Sequence, residues 1–344
     1  MKRWLPFLVA LPLLAVGIIL VAWRGPDWHI VRHAFVAVSW PWVAAAIGLN
    51  LLSVVTRSMC WDTCIRQALA PPQPAYRLVF SAFCVGLFAN AVLPGRVGEL
   101  ARAAVLRRRM PGRKGATATL IGSVFAHRVF DLFPTLVLVV WVLVAADIPQ
   151  WAYLTLAVAI GAGILLFLAA VVLARRQHRE IEGLGPVRLL FARGRAGLAI
   201  MSEPRAAVQA ATFQFAGWLC QLFAVWSAMR AFQIDEPLAA AGLVLVLMNV
   251  ATIVPLWPGN VGLVQIAVAT PLVNYGIAYA HGIAFGIGLQ AIEASVGIGI
   301  GLVFLAREGL SYGTLKTFDD GPPDDTGENG RAKEAEPARS RVAR

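Results

Sequence analysis

Residues 94–100 read PGRVGEL and residues 258–264 read PGNVGLV. Each phrase closes a long apolar run, 78–93 in the first case and 238–257 in the second. Proline pushes the residue before it out of helical geometry, and glycine permits a sharp reversal. Both runs are therefore predicted to stop at the phrase and restart as a shorter second helix. The hairpin-breaking residues are Pro94, Gly95 and Gly98 in one copy and Pro258, Gly259 and Gly262 in the other. Only the first copy carries charge, at Arg96 and Glu99.

Around these phrases the chain is built for lipid. Of 344 residues, 58% are hydrophobic and 14% charged, and the mean hydropathy is +0.69, outside the range of a soluble domain. Crossing about 30 Å of hydrocarbon takes about 20 apolar residues. Stretches of that kind occur at 4–23, 40–56, 129–146, 151–174, 206–229 and 280–305. The start, MKRW, leads into an apolar core with no small-residue cleavage site, which reads as an uncleaved first helix. Cys60, Cys64, Cys84 and Cys220 form neither CxxC nor a metal-ligand spacing, so no metal site is expected.

The net charge of +11 is a matter of topology rather than of nucleic-acid binding, because the basic residues are clustered. Residues 94–114 hold six Arg and one Lys against one Glu, and 175–205 hold seven Arg against three Glu. The positive-inside rule places both loops in the cytoplasm. The short links 147–150 and 230–236 are the outside candidates. If 78–93 crossed completely, RRRMPGRK at 107–114 would be stranded outside unless 94–106 returned, and so short a segment can only be the second arm of a re-entrant hairpin. On this threading the helix at 40–56 ends before a cytoplasmic Arg57, and the helix at 129–146 extends back to about Thr117. The run 238–257 enters from outside and returns along 263–277. The fold expected is an all-α polytopic membrane bundle of two inverted units, about 40–146 and 206–305, each with a re-entrant hairpin. Eight full crossings are the alternative. Tryptophans at 23, 28, 40, 42, 61, 141 and 151 fall near predicted helix ends, as interfacial belts do, whereas Trp218 and Trp226 read as packing residues.

Irregular backbone at membrane depth needs protein or a water-filled cavity to satisfy it. A helix restarting after PGR would present free N–H groups and a positive dipole end to an anion, with Arg96 beside them. Glu99 and Arg102 share a face, as do His127, Arg128 and Asp131 in HRVFD. Such groups within a membrane are functional candidates; they equally suit a staple in which opposite charges neutralise one another. Asn260 and Gln265 supply polarity at the second phrase, and Glu293 is the lone acid of the last crossing, with Arg128 or Arg96 as candidate partners.

NAVLPGRVGELARAAVLRRR (90–109), HRVFDL (127–132) and VPLWPGNVGLVQIAV (254–268) together resemble, in order and spacing, the lysylphosphatidylglycerol synthase transmembrane-region family. That family includes the flippase half of the multiple peptide resistance factor, and the likeness spans about residues 5–310. It implies translocation of a lipid, often with an aminoacyl or glycosyl headgroup, between leaflets of the bacterial cytoplasmic membrane, with both termini cytoplasmic. By motif position it carries over Arg96, Glu99, Arg102, Arg128, Asp131, Pro258 and Gly259. Two departures, Gln265 and His127 where the family often has glutamate, weigh against a cationic aminoacyl headgroup.

The expected organisation is a flippase-like membrane domain over 1–311 and a disordered, charged cytoplasmic tail over 312–344, with no room for the family's soluble catalytic domain. No Walker A, HExxH or GxSxG pattern occurs, and neither cofactor nor catalytic residue is assigned. The alternatives are an embedded lipid-processing enzyme using Glu99, His127 and Asp131, and a scaffold subunit of an envelope-assembly complex. Membrane lipid is the expected partner. A lipid-modifying synthase or glycosyltransferase and a second copy of the chain are further candidates.

Overall fold

The computed structural model describes residues 26–93, 97–110, 116–154, 157–158, 161, 165, 199–252 and 258–307. Nine α-helices are assigned among them, and no strand. They are α1 (Trp28–Val36), α2 (Trp40–Ala68), α3 (Tyr76–Val92), α4 (Gly98–Arg108), α5 (Ala116–Ala145), α6 (Pro204–Ala231), α7 (Leu238–Ala251), α8 (Leu263–Leu272) and α9 (Tyr279–Arg307). The predicted helix 4–23, most of 151–174, the basic loop up to residue 198, Pro94, Gly95, Arg96 and the tail lie outside the described residues.

Among the described residues, four helices are long and apolar enough to cross a membrane: α2, α5, α6 and α9. The chain is thus an all-α, multi-pass membrane bundle. Three of the four match the spans read from sequence. The exception is α2, which runs twelve residues past the predicted end at 56 and carries Arg57 in its interior. Positive charge was taken to mark a helix end there; instead the apolar run continues through Met59, Cys60 and Trp61 to Asp62.

The order long helix, short helix, short helix, long helix occurs twice, as α2–α5 and α6–α9. At about 1.5 Å per residue, the 11 residues of α4 and the 10 of α8 are each far too short to span. In the first copy, α4 folds back on α3 through Gly98 and Gly86. A Cβ on Gly98 would lie 2.0 Å from the Gly86 carbonyl oxygen, so only glycine permits this approach. In the second copy the break itself is left-handed, with φ of 68° at Gly259 and 93° at Gly262. There α8 packs along α9, with Gly282 against Ala269 and Gly286 against Gln265. Between the copies contacts are exchanged: α2 lies on α6, α3 on α9 and α7 on α5.

Two apolar cores lie at opposite ends of the long helices. One gathers α7 and α8 with Ala46 of α2, Val139 and Val142 of α5, Val225 and Met229 of α6, and Phe285 and Leu289 of α9. The other gathers α3 and α4 with Trp61 and Ile65 of α2, Leu120 and Val124 of α5, Ala206 and Ala210 of α6, and Val296 and Leu305 of α9. Each long helix changes core near its midpoint, and polar side chains stand at the change: Asn50, Ser53 and Arg57 on α2, Asp131 on α5, Gln214 on α6 and Glu293 on α9. Of the belt tryptophans, Trp28, Trp40, Trp42 and Trp151 are exposed. Trp61 is fully buried and donates to Ser123 Oγ at 3.2 Å, so it is a packing residue rather than a belt residue.

Candidate functional site

Between the two cores lies a cavity of about 190 Å³. Its walls come from six helices. The first hairpin contributes Asn90 and Glu99, α2 contributes Asn50 and Arg57, α5 contributes His127, α6 Gln221 and α9 Glu293. A polar chamber in the middle of an apolar bundle costs free energy unless its groups are paired or hydrated, so the partners of each charge decide what the chamber can do.

Four of the charges neutralise one another in a chain. Arg102, 3% exposed, stacks its guanidinium 4.7 Å above the ring of Trp61 and 5.4 Å from that of Phe83, and its Nη2 lies 2.7 Å from Glu99 Oε2. The other oxygen of Glu99 pairs with Arg128. Arg128 then donates to Asp131 Oδ2 at 2.8 Å. Asp131 also accepts from Gln214 and, at 3.0 Å, from Trp218 Nε1. The chain therefore binds hairpin to α5 and α5 to α6. Trp218, read from sequence as packing, is one of its hydrogen-bond donors.

Of the nine site residues named from sequence, Glu99, Arg102, His127, Arg128 and Glu293 line the cavity and Asp131 supports it from behind. Arg96 lies outside the described residues. Asn260 and Gln265 form a separate cluster: Asn260 donates to the Ala251 carbonyl at 3.0 Å, while Gln265 receives the N–H of Gly262 and donates to Gln290, which reaches the Gly259 carbonyl. These amides close the second break upon itself.

At the start of α4, where an anion site was expected, the structure describes two protein groups. The Gly98 N–H donates to Asn90 Oδ1 at 2.9 Å, and the first turn holds the Glu99 carboxylate. Asn90 of α3 thus takes one N–H at the positive end and Glu99 sets an acid beside it, while Arg96 lies outside the described residues.

Sequence reasoning missed Arg57, Gln214 and Gln221. Arg57 projects from mid-α2 with its Cζ 5.1 Å from the Trp218 ring, and its backbone carbonyl accepts from His127 Nε2 at 3.2 Å. Gly217 makes room for it, since a Cβ there would lie 2.8 Å from Arg57 Cγ. Among the described residues no carboxylate comes within ion-pair distance of Arg57. Glu293 accepts from Gln221 Nε2 at 3.1 Å and pairs with neither Arg128 nor any other described cation. The i, i+3, i+7 spacing of Asn50, Ser53 and Arg57 was the available signal, a polar stripe on an otherwise apolar helix.

A family model described as the lysylphosphatidylglycerol synthase TM region matches residues 4–301. Nothing among the curated proteins or the solved structures matches the chain.

Proposed function

The chain belongs to the lysylphosphatidylglycerol synthase transmembrane-region family, and from that membership and the mid-bundle cavity we propose that it translocates a phospholipid between leaflets of the bacterial cytoplasmic membrane. The headgroup passes through the polar cavity while the acyl chains stay in lipid. The observation that carries this reading is Arg57: a guanidinium on the cavity wall, near the middle of a spanning helix, without an ion-pair partner among the described residues. Guanidinium forks suit phosphate, and a charge kept at that depth with no ion-pair partner among the described residues is accounted for by a ligand that brings one. The cavity's volume corresponds to about six waters, room for a headgroup but not for acyl chains.

The two-unit plan supports the same reading. With the hairpin cores at opposite ends of the long helices, the units take inverted orientation in the membrane, and the cavity falls where transporter sites form, at the interface of broken helices near the midplane. The positive-inside rule sets both termini in the cytoplasm.

Embedded lipid chemistry would call on Glu99, His127 and Asp131 as acid and base. Both carboxylates are held in ion pairs, and His127 Nε2 bonds the Arg57 carbonyl. The test is reconstitution of the purified chain into vesicles carrying an acyl-labelled phospholipid, with dithionite added outside. Translocation brings the inner-leaflet label within reach of dithionite and leaves lipid masses unchanged. A protected inner pool contradicts it, and new lipid masses turn the reading to an enzyme.

A further inference from the structure

Resting on the translocation reading, the charges of the cavity narrow the class of headgroup. Arg102, Arg128, Glu99 and Asp131 cancel in a closed chain of pairs. Among the described residues, three ionisable groups on the cavity wall remain outside it: His127, whose Nε2 is held by the Arg57 carbonyl, Arg57 itself on α2 and Glu293 on α9. Arg57 and Glu293 line the same cavity, yet they form no ion pair with each other. Both are half-buried and so keep a face open to the cavity. Glu293 is also oriented: one oxygen is held by Gln221, which leaves the second for a ligand.

We propose that this pair binds a compact zwitterionic headgroup, one phosphodiester on Arg57 and one primary ammonium on Glu293, as in an aminoethyl phosphodiester. An anionic headgroup such as phosphoglycerol would satisfy Arg57 and leave a carboxylate buried without a counter-charge, which is costly. A headgroup with two cations would find only one unpaired acid. A quaternary ammonium has the charge but no N–H for the free carboxylate oxygen. The neutral sum also fits the chamber, because a zwitterion discharges both walls at once, whereas the empty cavity must hydrate two opposite charges within about 190 Å³.

The test is native mass spectrometry of the detergent-purified full chain offered equal amounts of phosphatidylethanolamine, phosphatidylglycerol and phosphatidylcholine. The wild-type chain is expected to retain phosphatidylethanolamine about tenfold over either competitor, the yield of one charge-assisted hydrogen bond. Glu293→Gln should bring the ethanolamine-to-glycerol ratio to near one, and Arg57→Gln should lower retention of all three. Glycerophosphoethanolamine, lacking acyl chains, should compete only weakly if the site takes its ligand from the bilayer, and fully if it takes a free phosphodiester. Equal retention of the three lipids by the wild-type chain, or an ethanolamine preference that survives Glu293→Gln, overturns the proposal. The wild-type ratio stands as a test even if the variants fail to fold. Leaflet exchange decides separately: selective retention without exchange keeps the site and removes translocation, whereas exchange with equal retention keeps translocation and removes the site.

Discussion

Arg57 and Trp218 meet across the interface of α2 and α6, guanidinium over indole at 5.1 Å, while the same indole N–H donates to Asp131 at 3.0 Å. The first helices of the two units are thereby joined at the level of the cavity, and one aromatic side chain serves both the unpaired arginine and the neutralised charge chain. A cation stacked on an aromatic face in a desolvated setting is held by roughly 2 kcal/mol, enough to fix its direction yet leave its N–H groups free for a ligand.

Gly217 is the means of that stacking. Gly217→Ala places a methyl 2.8 Å from Arg57 Cγ, which displaces the side chain from Trp218. Leaflet exchange in vesicles is expected to fall several-fold while the melting temperature in detergent changes little. Exchange at the wild-type rate would show that the position of Arg57 is unimportant.

Asp131 gathers Arg128, Gln214 and Trp218. Asp131→Asn keeps an acceptor for the neutral donors and loses the ion pair, so destabilisation of about 1–3 kcal/mol is expected, read as a lowered melting temperature. Because Arg128 is 44% exposed, solvent offsets part of the loss, and the effect belongs toward the lower end of that range.

The hairpin depends on Gly98. A Cβ there meets the Gly86 carbonyl oxygen at 2.0 Å and Asn90 Oδ1 at 2.5 Å, both on α3. Gly98→Ala should cost about 1–3 kcal/mol through overpacking and expose α4 to proteolysis. An unchanged melting temperature and an intact α4 would contradict the packing described.

The proposed inverted orientation of the two units makes a topological statement. In a background with Cys220 replaced, Arg109→Cys at the end of α4 should be labelled from the cytoplasmic face and Asn274→Cys, just past α8, from the opposite face. Labelling of both from one face would remove the two-unit plan.

Much of this was legible in the residues. The four spans and two broken segments follow from apolar run length and from PGRVGEL and PGNVGLV, because breaking a helix is a local property of proline and glycine. Glu99, Arg102, Arg128 and Asp131 could be foreseen as neighbours through helical spacing alone. Arg57 was hidden because a charge directly after the largely apolar run 40–56 resembles a membrane boundary, and only packing against Gly217 shows it to be interior. Gln214 and Gln221 gave no sign beyond their spacing on α6, since their partners, Asp131 and Glu293, are distant in sequence. At the start of α4, where an anion site was expected, the acceptor of the Gly98 N–H was hidden for a related reason: Asn90 belongs to the preceding helix.

The central claim is that a headgroup passes Arg57. The measurement that bears on it most directly is leaflet exchange of an acyl-labelled phospholipid by Arg57→Gln, beside Arg66→Gln as a control whose guanidinium pairs with Asp62 away from the cavity. The loss of one charged phosphate contact should slow exchange by about tenfold or more in Arg57→Gln, with Arg66→Gln at the wild-type rate. A correctly folded Arg57→Gln protein that exchanges lipid as fast as the wild type would contradict the account.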